Sequence, residues 1–448
     1  MASQKTLTSL TLVSALVLPL LGVARGGLGD RERPDPPPEG DVNQARQSGQ
    51  PMLEEGRRIF RYDTFGSESW WGGTLRLHEA IEGERFGGVG DGVSPRTALA
   101  VGLKVDVDAL PRRLQNQLRM GRVDLDDPAI TLALLDLDAV VGVTAHRDTD
   151  GSLETIGLQC AFCHSTVDDS FAPGIGHRLD GWANRDLNVG AIVSLAPNLQ
   201  PIADLLQVDV PTVKVVLASW GPGRYDAVLD KDGKAFRPDG GQAGTLIPPA
   251  FGLAGVNLHT WTGFGAVPYW NAYVAVTQMH GSGTFFDERL SDPEQYPVAA
   301  RSGSWNTRGT PDLVTSKLAA LHVYQLSIPA PKPAPGSFDA QAASRGKALF
   351  AGKANCASCH VPPLFTEPGD NLHAPADIGI DAFQDDRSPT HAYRTAPLAG
   401  LWTHQTGGFY HDGRFATLGE VINHYDSFFH LALTDQEKRD LREYLLSL

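Results

Sequence analysis

The chain has 448 residues, of which 42% are hydrophobic and 20% are charged. This is an ordinary globular composition, long enough for two or three domains at roughly 150 residues each, and it excludes a small disulfide scaffold. Acidic residues outnumber basic ones by 52 to 38, and the formal net charge is -14. With no basic cluster able to neutralise phosphates, the composition argues against a nucleic-acid partner.

An apolar run from about Leu10 to Val23 follows Lys5 at the N-terminus. This pattern predicts a secretory signal peptide over residues 1–24, with export to the periplasm or beyond. A retained membrane anchor is the alternative, but the run is shorter than the roughly 20 residues that span a bilayer. We therefore expect a mature protein that does not span the membrane. Residues 25–52 are polar and proline-rich, which predicts a flexible tether.

The front region, residues 53–327, combines predicted helices with turns. Helices are predicted over residues 53–60, 74–81, 109–120 and 127–135, the last of these capped by Asp127 and begun by Pro128. Two alternating stretches between Val140 and Gly157 flank a turn sequence, which predicts a hairpin leading into the first cysteine pair.

A proline-rich connector over residues 328–337 marks the best internal boundary. The tail, residues 338–448, begins with an amphipathic segment that predicts a helix before the second cysteine pair. It ends with a closing helix capped by Thr434.

The four cysteines occur in two C-x-x-C-H motifs, formed by Cys160, Cys163 and His164 and by Cys356, Cys359 and His360. Two thiols at this spacing reach both vinyl groups of one porphyrin, and the adjacent imidazole ligates its iron. Disulfides, a zinc site and a thioredoxin-like pair are the alternatives. Zinc would need all four cysteines to converge, and a redox pair does not need the histidine twice.

The motifs therefore predict two covalently bound haem c groups, with His164 and His360 as iron ligands. The predicted fold class is mainly α, with two cytochrome c-like haem domains, long loops and a few short β-hairpins.

The sixth iron ligand separates electron transfer from chemistry, because an open position lets O2 or peroxide reach the iron. No methionine follows Cys356. The candidates in the tail are His373, His391, His404, His411, His424, His430 and Tyr410. For the first haem, His177 is a candidate distal ligand, and Met279 with His280 is a more distant alternative.

Residues 259–286 are rich in aromatic side chains, which would either line a buried pocket or form ordinary core.

The tail sequence YRTAPLAGLWTHQTGGFYHDGRFATLGEVINHY, together with the two motifs, resembles the bacterial diheme cytochrome c peroxidase and MauG superfamily. The segments FRYDTFG, WGGTLRLHEAI and SIPAPKPAPGSFDA are more similar to its diheme rubber oxygenase (RoxA) branch. The peroxidases usually carry a methionine in the tail segment that this chain lacks. This difference favours the oxygenase-like branch over a conventional peroxidase.

The resemblance implies that the first haem is the reactive one and that the second relays electrons. It implies His411 as the first choice and Tyr410 as the second for the distal ligand of the second haem. The counterparts of an aromatic distal pocket over the first haem are Tyr269, Trp270, Phe285 and Phe286. A calcium ion between the haems would be held by Asn184, Thr395 and Pro397.

The expected function is that of an exported diheme oxidoreductase whose N-terminal haem reacts with O2 or H2O2. Its partners would be a small redox protein or small-molecule electron carrier and an apolar organic substrate. The alternative is a non-enzymatic periplasmic electron-transfer cytochrome. A third possibility is a maturation enzyme that acts on a partner protein, as MauG does.

Overall fold

The structure of the chain is a computed structural model in which residues 39–448 are described, apart from the side chains of residues 39–48 and 405. The predicted signal peptide, residues 1–24, lies outside the described residues, and so does the first part of the predicted tether. Residues Ser48–Leu448 form one compact unit, which contains both C-x-x-C-H motifs.

The first described element is a long helix, α1 (Glu39–Tyr62). It contains the helix predicted over residues 53–60. It also begins inside the segment predicted to be a flexible tether, so the prediction for residues 39–52 was wrong. The tether was inferred from polarity alone, whereas the helix gains stability from its last turns, where Ile59 and Phe60 are fully buried.

The front region is built from short helices separated by loops. These helices are α2 (Leu77–Glu82), α3 (Pro95–Ala100), α4 (Arg112–Arg119), α5 (Pro128–Asp136), α6 (Ala161–His164), α7 (Val189–Val193), α8 (Gln200–Leu206), α9 (Val210–Trp220), α10 (Leu229–Asp232), α11 (Val267–Tyr273), α12 (Pro297–Ser302) and α13 (Leu318–Ser327). π-helical turns form at Ser69–Thr74 and Val274–Gln278. The helix predicted over residues 74–81 is therefore realised as a π-helical turn followed by α2.

The described front region also contains five two-stranded sheets. The antiparallel pairs are β2 (Val143–Arg147) with β3 (Leu153–Leu158), β4 (Ser165–Val167) with β6 (Arg178–Asp180), β7 (Arg224–Tyr225) with β8 (Thr245–Leu246), and β9 (Thr284–Phe286) with β10 (Asn306–Arg308). The parallel pair is β1 (Val105–Asp106) with β5 (Ile175–Gly176). The hairpin predicted before the first motif is confirmed as β2–β3.

The tail carries α14 (Ala340–Ala351), α15 (Pro375–Ile378), α16 (Leu418–Phe428) and α17 (Asp435–Leu446). The predicted cap of the closing helix is confirmed, since the Thr434 side chain accepts from the backbone N–H of Glu437 in a capping box. Asp127 likewise caps α5 by accepting from the backbone N–H of Ala129.

Three hydrophobic clusters form the interior. The front core contains Leu75, Val107, Leu135, Ile156 and Leu187. The middle core contains Phe60, Tyr273, Phe285, Leu290 and Tyr296. The tail core contains Phe350, Leu418, Ile422, Leu441 and Tyr444. The mainly helical fold with short hairpins is thus confirmed, and the described helices include none that is both long and apolar enough to cross a membrane.

Candidate functional site

Each C-x-x-C-H motif folds into a single helical turn. The backbone N–H of His164 donates to the carbonyl of Cys160 at 3.2 Å, and that of His360 donates to the carbonyl of Cys356 at 2.9 Å. Residues three apart lie on the same side of a helical turn, so the two thiols of each motif face one side, with the histidine next to them. The two motifs share this local geometry although the surrounding sequences differ.

The imidazole of each motif is oriented by a backbone carbonyl. Nδ1 of His164 is 3.1 Å from the carbonyl oxygen of Pro248, and Nδ1 of His360 is 3.0 Å from that of Phe365. Burial lowers the pKa of His164 to about 4 and lowers that of His360 as well. Both rings are therefore neutral, with Nε2 available to a metal, which is the arrangement that metal-ligating histidines adopt.

The four cysteines are unbridged. Burial raises the pKa of the Cys160 and Cys163 thiols to about 12 and that of Cys356 to about 11, so none of these three is an activated thiolate. Cys160 packs on the middle core, Cys163 on the front core and Cys356 on the tail core. Among the described residues, the cysteine sulfurs do not converge in one group of ligands, which argues against a four-cysteine zinc site.

A group that the sequence did not suggest lies beside the second motif. Cys359, Glu367 and His373 place one possible ligand atom each within 4.8 Å of one another. The carboxylate of Glu367 contacts Nε2 of His373 and accepts a hydrogen bond from the Thr395 hydroxyl. Glu367 and His373 thus form a polar pair beside Cys359.

Three of the four aromatic residues predicted to form a distal pocket come together next to the first motif. The rings of Tyr269 and Trp270 are 5.7 Å apart, those of Tyr269 and Phe285 are also 5.7 Å apart, and all three side chains pack in the middle core with Cys160. The Tyr269 hydroxyl donates to Asp287 at 2.6 Å.

Phe286 does not belong to this cluster. Its side chain is 52% exposed and lies against Trp305, because alternate residues of β9 point to opposite faces. The assignment of Phe286 to the pocket was therefore wrong.

His177 is also placed away from a buried site. Its side chain is 53% exposed, and its Nδ1 lies 2.9 Å from the Asp108 carboxylate, which raises the pKa of His177. An exposed imidazole paired with a carboxylate does not fit a distal iron ligand, so the structure does not support this prediction.

The two tail residues predicted as distal ligands of the second haem point to different surroundings. Tyr410 packs in the tail core with Cys356, and its ring lies 4.9 Å from that of Phe415. His411 is 3% exposed and stacks on Tyr393 at 5.1 Å. Burial raises the pKa of Tyr410 well above its usual range and lowers that of His411 to about 4.

Most of the other tail histidines either have a hydrogen-bond partner or are exposed. Nε2 of His373 contacts Glu367, Nε2 of His424 lies 2.9 Å from the carbonyl oxygen of Ile378, and His391 and His430 are exposed. His404 and His411 differ from these, because each has a buried Nε2 with no hydrogen-bond partner among the described residues. Among the described tail histidines, these two rings have a buried Nε2 left free to bind a metal.

The three residues predicted to hold calcium lie in two loops, Asn184 in one and Thr395 with Pro397 in the other. Asn184 is buried, its Nδ2 donates to the carbonyl of Gly102 at 2.9 Å, and its Oδ1 has no partner in the described structure. Thr395 is buried beside Glu367 in the tail, and Pro397 follows two residues later. Of the three side chains, that of Asn184 is the one with a buried oxygen that has no partner among the described residues.

A hydrogen-bonded chain of buried polar groups lies close to the first motif and was not predicted. The Tyr225 hydroxyl donates to Oε1 of Gln278, and Nε2 of Gln278 donates to Asp230 at 3.1 Å. Lys231 donates to the same carboxylate at 2.9 Å. Burial raises the pKa of Tyr225 well above its usual value, and the charge of Asp230 adds to the rise. These residues are scattered in the sequence, so no motif could have indicated the chain.

The polar interior near the motifs fits a large group with both iron-binding and anionic parts. Native proteins leave few buried polar atoms unpaired, and each exception needs an explanation. Here the unpaired atoms include His404 Nε2, His411 Nε2, Trp270 Nε1, Arg394 Nη1 and two nitrogens of Arg185. Two free imidazoles and unpaired guanidinium groups match the iron and the carboxylates of a haem, so the residues present fit the group that the motifs predict.

No family model matches the chain. A stretch of 127 residues is 32% identical to the methylamine utilization protein MauG of Methylorubrum extorquens, and it covers 24% of this chain and 34% of MauG. The chain thus spans about a third of the length of the curated relative that it matches. This match supports the resemblance to the diheme peroxidase and MauG superfamily, while the rubber oxygenase branch stays a prediction.

Among solved structures, the chain is similar to a MauG-like protein associated with microbial copper homeostasis. The identity is 20% and the TM-score 0.32, over 51% of this chain and 78% of the other. Hydrazine synthase of Kuenenia stuttgartiensis has 22% identity and a TM-score of 0.21, over 30% and 55% of the two chains.

Proposed function

We propose that the protein is an exported diheme c-type cytochrome oxidoreductase. In this proposal the first motif holds the haem that reacts with O2 or H2O2, and the second holds the haem that exchanges electrons with a small redox partner. The observation that carries it is the repeated helical turn with two thiols on one side and a neutral imidazole whose Nδ1 is fixed by a carbonyl. The partial match to MauG supports the same class.

A bound haem would supply the reactive iron and the capacity to store electrons, and this chain would set ligation and polarity. Cys160 and Cys163 would attach the first porphyrin, and Cys356 and Cys359 the second. His164 and His360 would ligate the irons through Nε2, because their Nδ1 atoms are held by backbone carbonyls.

For the distal side of the second haem we propose Tyr410 before His411. Tyr410 shares the tail core with Cys356. Burial raises the pKa of the neighbouring Tyr425, which lies close to both Cys356 and Cys359. His411 instead stacks on Tyr393. The position of Tyr410 supports it as the ligand, although the family resemblance ranks His411 first.

On the first-motif side, we propose that Tyr269, Trp270 and Phe285 exclude water from the reaction site. The Tyr269 ring is held by its hydrogen bond to Asp287. The hydroxyl of Tyr225, which donates to Gln278, would be a fixed polar group close to Cys163. An apolar organic substrate would suit the aromatic lining.

We also propose that Asn184, Thr395 and Pro397 hold a calcium ion, which the unpaired Oδ1 of Asn184 supports. Removing calcium from the holoprotein with a chelator should then change the visible spectrum of at least one haem. An unchanged spectrum in protein shown by elemental analysis to be free of calcium would contradict this part of the proposal.

The proposed function is tested on the purified holoprotein by EPR and visible spectroscopy before and after cyanide is added. A high-spin ferric signal that cyanide abolishes is expected for an accessible iron. Turnover of H2O2 with a reduced small cytochrome, or O2 uptake with an apolar alkene, is then expected from the same sample. Two low-spin haems that bind no external ligand and show no turnover would overturn the enzyme proposal.

That last result would favour the second candidate function, a non-enzymatic electron-transfer cytochrome. The observation in its favour is that His404 and His411 both have free, buried Nε2 atoms that could fill sixth positions on the irons. Bis-imidazole ligation gives EPR signals distinct from those of a tyrosinate or an open site, so one spectrum separates the two functions.

A further inference from the structure

Two guanidinium groups meet in the interior without an anionic partner. Arg185 is only 6% exposed, and its Nε and Nη1 are both buried and unpaired. Arg224 is close enough that its charge adds to the effect of burial in lowering the pKa of Arg185 to about 10. Nε of Arg224 is unpaired as well, and its Nη2 reaches only the main-chain oxygen of Asp412 at 3.3 Å.

An arrangement of this kind is strongly unfavourable unless an anion completes it. A buried cation without a partner loses its hydration and gains nothing in return, and a second cation beside it adds repulsion. Arg387 shows the paired arrangement, since it is 1% exposed and binds both Asp226 and Asp232. In the described part of the chain, no carboxylate forms an ion pair with Arg185 or Arg224.

The pair lies between residues that belong to the two motif regions. Asn184, next to Arg185, donates its backbone N–H to the carbonyl of Cys163 at 2.9 Å. On the other side, the charge of Arg185 contributes to lowering the pKa of His404, and its Nη1 would lie 3.8 Å from a Cβ placed on Gly407. An anion bound here would therefore be adjacent to both proposed haem sites.

We propose that Arg185 and Arg224 bind a propionate carboxylate of one of the two haems. This inference rests on the proposed function. The planar guanidinium group donates two parallel hydrogen bonds to a carboxylate, and the donors that such a group needs are the ones left unpaired. A soluble carboxylate or other small anion has the same chemistry, and the experiment must tell the two sources apart.

The test measures the reduction potentials of both haems in the holoprotein by spectroelectrochemistry, for the wild type and for Arg185→Gln and Arg185→Lys. Loss of the positive charge favours the ferric iron, so one potential should fall in Arg185→Gln. We expect the oxidation equilibrium to shift by about tenfold, which corresponds to about 59 mV for one electron. Arg185→Lys keeps the charge without the planar guanidinium group. Its reduction potential should lie between those of the wild type and Arg185→Gln.

Arg58→Gln is the matched control, because Arg58 is exposed on α1 and pairs only with Glu55. Its potentials should equal those of the wild type. If Arg185→Gln does not accumulate, Arg224→Gln gives the same measurement at a less buried position.

Unchanged potentials in Arg185→Gln and Arg224→Gln, with two haems retained, would overturn the inference. It would also be overturned if millimolar acetate shifted the wild-type potentials while Arg185→Gln did not respond, since the occupant would then be soluble. A wild type without covalent haem would be a failure of the proposed function instead, and haem quantitation on the same sample distinguishes that case.

Discussion

For the distal ligand of the second haem, the packing of the side chains favours Tyr410, whereas the family resemblance favours His411. His411 follows Tyr410 in the same segment, but the two side chains enter different environments, the tail core for Tyr410 and the Tyr393 ring for His411. A positive φ of 67° at Tyr410 places the backbone in the left-handed region and accompanies this divergence.

Substitution separates these two residues. In Tyr410→Phe, the hydroxyl is lost while the ring and its packing remain, so the low-spin EPR signal of the second haem should convert to high spin. In His411→Ala that signal should persist, because we place His411 outside the coordination sphere. EPR spectra of the ferric proteins decide between them. A high-spin conversion in His411→Ala and none in Tyr410→Phe would contradict our assignment and restore the ranking implied by the family resemblance.

A second residue-scale prediction concerns the hydrogen bond that holds Tyr269. In Asp287→Asn the acceptor is weakened but the shape is kept, and Arg289 loses its ionic partner. We expect roughly tenfold slower peroxide turnover with covalent haem content unchanged, since misplacement of a positioned side chain commonly costs a rate factor of 10 to 100. Steady-state rates on haem-quantified protein test this. A rate equal to the wild type would exclude a positioning role for Asp287.

At the scale of elements, the two helices α14 and α17 hold the second motif through very close packing. Gly346 of α14 faces the backbone of α17, where an added Cβ would come 2.0 Å from the carbonyl oxygen of Asp440. Only glycine permits this approach. This contact joins the first and last helices of the tail, and the second motif lies between these two helices in the chain.

Gly346→Ala should therefore destabilise the tail by about 1–3 kcal/mol through overpacking, despite the better helix propensity of alanine. Ser344→Ala, at an exposed position of the same helix, is the matched control and should change stability by less than about 0.5 kcal/mol. Urea unfolding followed by circular dichroism measures both. Equal stability of Gly346→Ala and the wild type would mean that the helices separate at no cost.

Some features of the helices and strands could be predicted from the sequence alone, and others could not. Caps such as Asp127 and Thr434 and the hairpin before the first motif were predictable because their signals are local. The α1 helix upstream of residue 53 was not, because its stability depends on distant packing of Ile59 and Phe60. The predictions for Phe286 and His177 were not supported for a related reason. The direction of a side chain depends on strand register and on neighbours far away in the sequence.

Both C-x-x-C-H motifs were predictable from spacing, whereas the buried arginines and the Tyr225 hydrogen-bond chain were not. Arg185 and Arg224 carry no motif, and their significance appears only when burial and missing partners are known.

Across the whole molecule, the tail segment is joined to the front region by a buried ion triad. Arg387 donates to Asp232 at 2.6 Å and to Asp226 at 3.0 Å. Two carboxylates share one guanidinium, and burial raises the pKa of Asp226 to about 6 even though Arg387 acts against this rise.

Arg387→Leu leaves both carboxylates buried and unpaired, which should destabilise the protein by about 3–5 kcal/mol. Arg442→Leu, which removes a surface pair with Glu443, is the control and should cost no more than about 1 kcal/mol. Denaturant titration at pH 7 gives both values. A loss for Arg387→Leu as small as that of the control would contradict the structural role of the triad.

The cost of Arg387→Leu should also depend on pH. The folded-state pKa of Asp226 lies above its unfolded value of about 3.9, so its favourable contribution is present at low pH and is lost as the pH rises through about 6. Without Arg387 the folded pKa rises further. The stability difference between variant and wild type should therefore be larger at pH 8 than at pH 5, and a difference independent of pH would contradict this.

Both proposed iron sites depend on porphyrin being attached through the two C-x-x-C-H motifs. The direct measurement is the intact mass of the chain produced in a host that matures c-type cytochromes, together with its pyridine haemochrome spectrum. We predict two covalently retained haems per chain, and one in the double variant Cys356→Ser with Cys359→Ser. A mass equal to that of the bare polypeptide, with all pigment removed by acid–acetone extraction, would contradict the account.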